Sequence, residues 1–166
     1  YMPLIIKVAS IPKERMQVYF IDNEEYFKRK DLLLDKNDKL LKDNDERMIF
    51  FTKGVIETVK KLNWTPDIIH LHGWFTSLFP LYIKKLYSDD PIFDRCKIIS
   101  SIYSKAFNGN LSKALSKKIQ FDLIQLVVEI NQNVFLKINE FNIIFFYPNF
   151  IDVWKNRKKF RYNLII

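Results

Sequence analysis

The chain has 166 residues, of which 48% are hydrophobic and 28% are charged. This balance indicates one globular domain with a hydrophobic core and excludes a disordered or fibrous protein. The net charge of +8 raises nucleic acid as a partner, but acidic residues are interspersed among the lysines, so we do not expect nucleic-acid binding.

Two strands are predicted at the start of the chain, over residues 3–11 and 16–22, with a turn between them. A short helix or loop at residues 24–30 and an exposed charged segment at residues 31–42 follow. The clearest helix begins at Asp43, Asn44 and Asp45, which are N-cap candidates. Apolar residues then recur at helical spacing until residues 63–66, which end the helix.

The next predicted elements are a strand at residues 67–71, a turn at 72–74, a helix from Phe75 or Thr76 to Tyr87, and a strand at 97–103. Helices at residues 113–118 and 131–140 and a strand at 142–147 complete the series. Strands that alternate with helices are typical of an α/β fold with a largely parallel sheet.

The segment HLHGW, residues 70–74, contains the only two histidines of the chain. It lies at the carboxyl end of a predicted strand, where ligands bind in parallel α/β sheets. The alternation of a strand places His70 and His72 on one face. We expect His70 to be structural and His72 either to be structural or to line a cleft. A zinc site needs a third protein ligand, so no metal site is predicted.

Three segments together resemble the bacterial glycogen synthase and plant starch synthase family. Residues 64–78, WTPDIIHLHGWFTSL, resemble the family segment PD-hydrophobic-hydrophobic-H-x-H-[DG]-W. Residues 43–47, DNDER, resemble the family helix start DN-x-x-R, and residues 99–104, ISSIYS, are similar to the segment that contains TVHN. The resemblance covers roughly the first 110 to 120 residues and is strongest to the short forms of Bacteroidetes-type bacteria.

The resemblance implies a Rossmann-like half of a two-domain GT-B glycosyltransferase, with a partial catalytic domain at residues 1–150 and a basic-aromatic tail at 151–166. It implies glucose transfer from ADP-glucose to an α-1,4-glucan, with retention of configuration and without a metal or other cofactor. A cytoplasmic location fits the single cysteine, Cys96. The substrate-binding residues that the resemblance implies are His72, Gly73, Trp74, Asp43, Asn44 and Arg47.

The chain also departs from the family pattern. Phe75 stands where many members have a sugar-contacting histidine, so no catalytic residue is assigned, and Tyr103 and Ser104 stand where the family has His-Asn. The glycine-rich K-x-G-G-L loop and the phosphate-binding Arg/Lys pair of the second domain do not occur in this sequence. We therefore expect a transferase that is incomplete or degenerate as this chain. The alternative is a non-catalytic form of the fold that binds glucan or protein.

Several of these residues also have a purely structural interpretation. Trp74 is expected to pack a helix onto the sheet, and N-capping with a surface charge pair would explain Asp43, Asn44 and Arg47. Residues 154–162 have the composition of an RNA or phospholipid site, but a solvated terminus is the expectation. The apolar run at residues 141–151 has about half of the ~20 residues that a spanning helix needs, so no membrane segment is predicted.

Overall fold

A computed structural model describes residues 2–103, 111–120, 144–146 and 163–165. Strands β1 (Ile5–Ile11) and β2 (Met16–Asp22) form an antiparallel two-stranded ribbon, as the alternation in the sequence predicts. A short 3-10 turn, Pro12–Glu14, joins the two strands. Strand β1 begins at Ile5 and not at residue 3, because Ile5 pairs with Asp22, the last residue of β2.

A short helix and a folded loop connect this ribbon to the main helix. Helix α1 (Glu24–Phe27) is capped by the Asn23 side chain, which accepts hydrogen bonds from two backbone N–H groups of the first turn. The charged segment that follows closes on itself through a bridge between Leu34 and Leu40. The Asp35 carboxylate stabilises the predicted turn by accepting the N–H groups of the turn residues 37 and 39.

Helix α2 (Asn44–Lys61) packs between the ribbon and the core. Its core face carries Met48, Ile56 and Val59, each at most 2% exposed. The opposite contact, with the ribbon, is close: a Cβ atom on Gly54 would lie 2.8 Å from the Ile21 Cγ2. Any larger residue at this position would therefore require the Ile21 and Leu4 side chains to shift.

The second sheet has four parallel strands in the order β5-β4-β3-β6. They are β3 (Ile68–His72), β4 (Lys97–Ser101), β5 (Ile144–Phe146) and β6 (Asn163–Ile165). Helix α3 (Leu78–Leu86) connects β3 to β4, and α4 (Leu115–Gln120) follows β4. Buried side chains of α2, α3 and α4 join those of β3 and β4 in one core. The α/β fold with a parallel sheet is confirmed.

Several element boundaries differ from the prediction. Helix α3 begins at Leu78 and not at Phe75 or Thr76, because residues 74–76 form a 3-10 turn. Strand β4 ends at Ser101 and not at residue 103, and the predicted helix at 113–118 is observed at Leu115–Gln120. Strand β6 was not predicted, and it lies within the range assigned to the tail.

The predicted helix at residues 131–140 and the basic segment at 154–162 lie outside the described residues, and the boundary at residue 150 stays a prediction. Within the described residues, no helix is long and apolar enough to cross a bilayer.

Candidate functional site at the carboxyl end of β3

The two histidines lie side by side at the carboxyl end of β3. Their ring centroids are 4.2 Å apart, so strand alternation does place them on one face. Each imidazole reaches a hydroxyl group of β4 or of the residues just after it. The His70 Nε2 lies 2.7 Å from the Ser101 Oγ, and the His72 Nδ1 lies 2.5 Å from the Tyr103 hydroxyl. Each histidine is thus hydrogen-bonded to the residue two positions beyond its partner in the β3–β4 register, and these two bonds hold both rings.

Burial favours the neutral form of both histidines. His70 is 4% exposed, and burial, with a smaller contribution from His72, lowers the pKa of His70 from 6.5 to about 4. Burial also lowers the pKa of His72. A buried neutral imidazole with a hydroxyl partner is what a structural histidine requires, so the position of His70 agrees with the expected structural role.

The turn after β3 depends on Gly73. Its φ of 71° and ψ of −178° lie in a region that only glycine adopts readily. Its N–H donates to the Ser101 carbonyl at 3.0 Å, and its carbonyl accepts a 3.1 Å hydrogen bond from the Thr76 hydroxyl. Trp74 follows in the 3-10 turn, is partly buried and packs against the core. The turn predicted at residues 72–74 and the packing expected for Trp74 are both observed.

The residues at the start of α2 do not form the expected cap. Asp43 occupies the N-cap position, but its side chain makes no capping hydrogen bond and instead pairs with Arg29, with an O–N distance of 2.6 Å. Asn44 is already inside the helix and is 1% exposed, and its Nδ2 donates to the Leu33 carbonyl at 2.8 Å. Asn44 therefore anchors the charged segment against α2, and Asp43 anchors Arg29, which precedes that segment.

The interpretation of Arg47 as part of a surface charge pair is wrong, because this residue is 3% exposed. Its Nη1 donates to the Leu32 carbonyl at 2.5 Å and to the Asn44 Oδ1 at 2.9 Å. Its guanidinium carbon lies 5.5 Å from the centre of the Phe27 ring and 5.7 Å from that of Phe75. Burial lowers the pKa of Arg47, but aromatic faces on two sides stabilise its charge.

Phe75 connects the predicted site residues after β3 with those at the start of α2. It belongs to the turn that follows Gly73, and its ring lies 5.8 Å from that of Phe51 on α2 and close to Arg47. The turn after β3 therefore docks on the first half of α2 through an aromatic side chain. Tertiary packing thus brings the HLHGW segment and the DNDER segment, which are more than 20 residues apart in sequence, to one edge of the fold.

Most of the sequence, including both of these segments, matches one protein family. Residues 2–143 match the starch synthase catalytic domain family. The chain belongs to that family. The glycogen synthase of Chlorobium luteolum is 42% identical over 119 residues, which is 70% of this chain and 24% of that protein. The glycogen synthase of Chlorobaculum tepidum is 40% identical over 120 residues, again 70% and 24% of the two chains.

The chain spans about a quarter of the length of these curated relatives. Among solved structures, it is similar to the catalytic domain of starch synthase IV from Arabidopsis thaliana bound to ADP and acarbose. The identity is 23% and the TM-score is 0.49, with 59% of this chain and 19% of the other covered. The family resemblance read from the sequence segments is confirmed by the family match and by the curated relatives.

Two features of this starch synthase family chain were not predicted as parts of a site. One is Tyr103, whose hydroxyl is hydrogen-bonded to His72. Both residues lie at the carboxyl ends of predicted strands, and this shared position is the signal that could have found the contact. The other is Lys118, whose Nζ lies 2.8 Å from the Asp45 carboxylate and 2.7 Å from that of Glu46. Because Lys118 and Asp45 are 73 positions apart, no local pattern indicates this contact.

Beside this ion pair lies a cavity of about 350 Å³, whose polar lining comes from Lys42, Asn44, Asp45 and Ser112. Nothing in the described part of the chain brings three or more His, Cys, Asp or Glu side chains together in a way that would hold a metal ion. The substrate-binding role of His72, Gly73, Trp74, Asp43, Asn44 and Arg47 stays a prediction.

Proposed function

We propose that this chain is the N-terminal portion of the catalytic domain of a glycogen or starch synthase, which transfers glucose from ADP-glucose to an α-1,4-glucan. Membership of the starch synthase family supports the reaction class. The observation that carries the proposal is the turn at Gly73, which lies at the carboxyl end of β3 in a parallel sheet. That edge is where sheets of this kind bind their ligands.

The contribution of this chain to the reaction is to bind the sugar. Retaining transfer develops positive charge on the glucose ring and negative charge on the departing diphosphate. We assign the glucose side to the turn after β3, where His72, Gly73 and Tyr103 lie together. We do not assign Arg47 to the diphosphate, because its Nη1 is already bonded to Leu32 and Asn44 and the side chain is buried.

One observation favours a second candidate, a form of this fold that binds glucan without catalysis. Phe75 stands in the position of the histidine that contacts the sugar in many family members. Its ring packs beside Phe51 and Arg47 and has no hydrogen-bond donor to offer to a sugar hydroxyl. A chain with this substitution would retain the shape of the site but lose one polar contact with the substrate.

Two measurements on the purified chain distinguish the candidates. The first is a coupled assay for ADP release with ADP-glucose and glycogen, and the second is retention of the chain on immobilised glycogen. ADP release that depends on both substrates supports transfer. Retention without ADP release supports the glucan-binding form, whereas a chain that does neither contradicts both candidates. Gly73→Ala tests whether the turn is responsible, because it is expected to reduce either activity.

We also propose a cytoplasmic location. The support is the single cysteine, Cys96, which is a free thiol whose pKa is raised by burial to about 12. A partly buried thiol with a raised pKa is unreactive and suits a reducing compartment.

A further inference from the structure

Tyr103 is an exposed aromatic residue whose orientation is fixed by the turn after β3. Tyr103 is 45% exposed, which is high for a large aromatic residue. Its hydroxyl is bonded to the His72 Nδ1, and the two rings stack at an interplanar angle of 27° with centroids 6.1 Å apart. Its Cδ2 lies 3.9 Å from the position that a Cβ atom on Gly73 would occupy. One side of the residue is thus held against the turn.

We propose that Tyr103 is the aromatic residue on which a glucose unit of the glucan stacks. This inference rests on the proposed function, since it assigns a residue to the sugar side of the same site. An aromatic ring offers a sugar a flat apolar surface for its C–H face, and a ring that is already ordered loses little conformational entropy on binding. The ring of Tyr103 is held by its hydrogen bond and ring contact with His72, and it lies at the carboxyl ends of the parallel strands.

The other aromatic side chains near this edge are less suited to the role. Trp74 and Phe75 are partly buried and pack against the core, and Phe75 also faces Arg47. The hydroxyl of Tyr103 is engaged with His72, so the part of the residue that remains for a ligand is the ring. The binding contribution is therefore expected to depend on the ring and much less on the hydroxyl.

The experiment measures the affinity of maltoheptaose for the full chain by isothermal titration calorimetry. Three variants are compared with the unmodified chain: Tyr103→Ala removes the ring, Tyr103→Phe keeps the ring and removes the hydroxyl, and Phe20→Ala is the matched control. Phe20 is 51% exposed, similar to Tyr103, but it lies in the β1–β2 ribbon. We expect about a tenfold loss of affinity for Tyr103→Ala, less than about threefold for Tyr103→Phe, and no change for the control.

A second measurement does not depend on the folding of a variant. In the unmodified chain, nuclear Overhauser contacts are expected between the Tyr103 ring protons and the sugar C–H protons of bound maltoheptaose. Absence of these contacts in a saturated complex overturns the inference.

The outcomes separate this inference from the proposed function. If the unmodified chain binds maltoheptaose and Tyr103→Ala binds it equally well, the stacking role is wrong and the proposed function stands. If Tyr103→Phe loses as much affinity as Tyr103→Ala, the hydroxyl bond to His72 and not the ring is responsible, which also overturns the inference. If the unmodified chain binds no malto-oligosaccharide, both the stacking role and the glucan-binding site are wrong.

Discussion

Acidification should destabilise this protein through His70. In the folded chain the His70 imidazole is buried and neutral, and its pKa is lowered from 6.5 to about 4. In the unfolded chain it is exposed to water. Between these two values the unfolded state binds a proton that the folded state does not. The free energy of unfolding therefore falls as the pH decreases through this range.

The size of the effect follows from the shift. At about 1.4 kcal/mol per pKa unit, a change from 6.5 to about 4 corresponds to roughly 3 kcal/mol. This contribution is fully present above pH 6.5 and is lost once the pH has fallen to about 4. It is a large share of the stability of an ordinary domain, which is about 5–15 kcal/mol.

The assay is urea unfolding followed by tryptophan fluorescence at a series of pH values. His70→Gln is the informative variant, because glutamine does not titrate and its amide nitrogen can still reach the Ser101 hydroxyl, which lies 2.7 Å from the His70 Nε2. We expect the variant to lose roughly 3 kcal/mol of the pH dependence between pH 6.5 and 4. His72→Gln is the control, since it removes the other histidine and leaves His70 in place.

The reasoning is refuted if His70→Gln and the unmodified chain lose stability in parallel across this range. A direct check uses the unmodified chain alone. With only two histidines in the sequence, their imidazole proton resonances can be followed individually during a pH titration. A His70 that titrates near pH 6.5 would contradict the buried position.

Three further predictions concern single contacts, each measured as a change in the free energy of unfolding. Gly54→Ala should cost about 1 kcal/mol, because the added methyl group would lie 2.8 Å from Ile21 and this overpacking exceeds the gain in helix propensity. Gly73→Ala should cost about 2 kcal/mol through backbone strain alone, since the added Cβ atom would make only an ordinary contact, 3.9 Å from the Tyr103 Cδ2. Lys118→Met should cost about 2 kcal/mol by leaving the buried Asp45 carboxylate without its cation.

Two of these predictions have a control variant, and the third has an outcome that would contradict it. Gly73→Asn should be as costly as Gly73→Ala, because the observed φ and ψ lie outside the left-handed region that asparagine tolerates. Lys28→Met removes the exposed pair with Glu24 and should cost less than Lys118→Met, since exposed pairs contribute little. A Gly54→Ala variant that is more stable than the parent would show that Ile21 moves aside at no cost.

The sequence by itself determined the elements whose signal is local. Alternation along β3 placed His70 and His72 on one face, and the spacing of apolar residues gave α2 its core face. The glycine after His72 marked a sharp turn at a strand end, and the turn is observed there with a positive φ. These features depend on residues within a few positions of one another, so the backbone periods of 2.0 and 3.6 are enough to predict them.

The tertiary structure alone decided which distant residues meet. The hydroxyl partners of the histidines come from residues 31 positions further along, and Lys118 reaches Asp45 across 73 positions. Strand β6, only three residues long, exists because β3 offers it an edge. Arg47 carried the pattern of a surface residue, yet it is buried because two aromatic rings and a carbonyl group surround it. Local periodicity says nothing of such contacts, since they depend on the register and packing of whole elements.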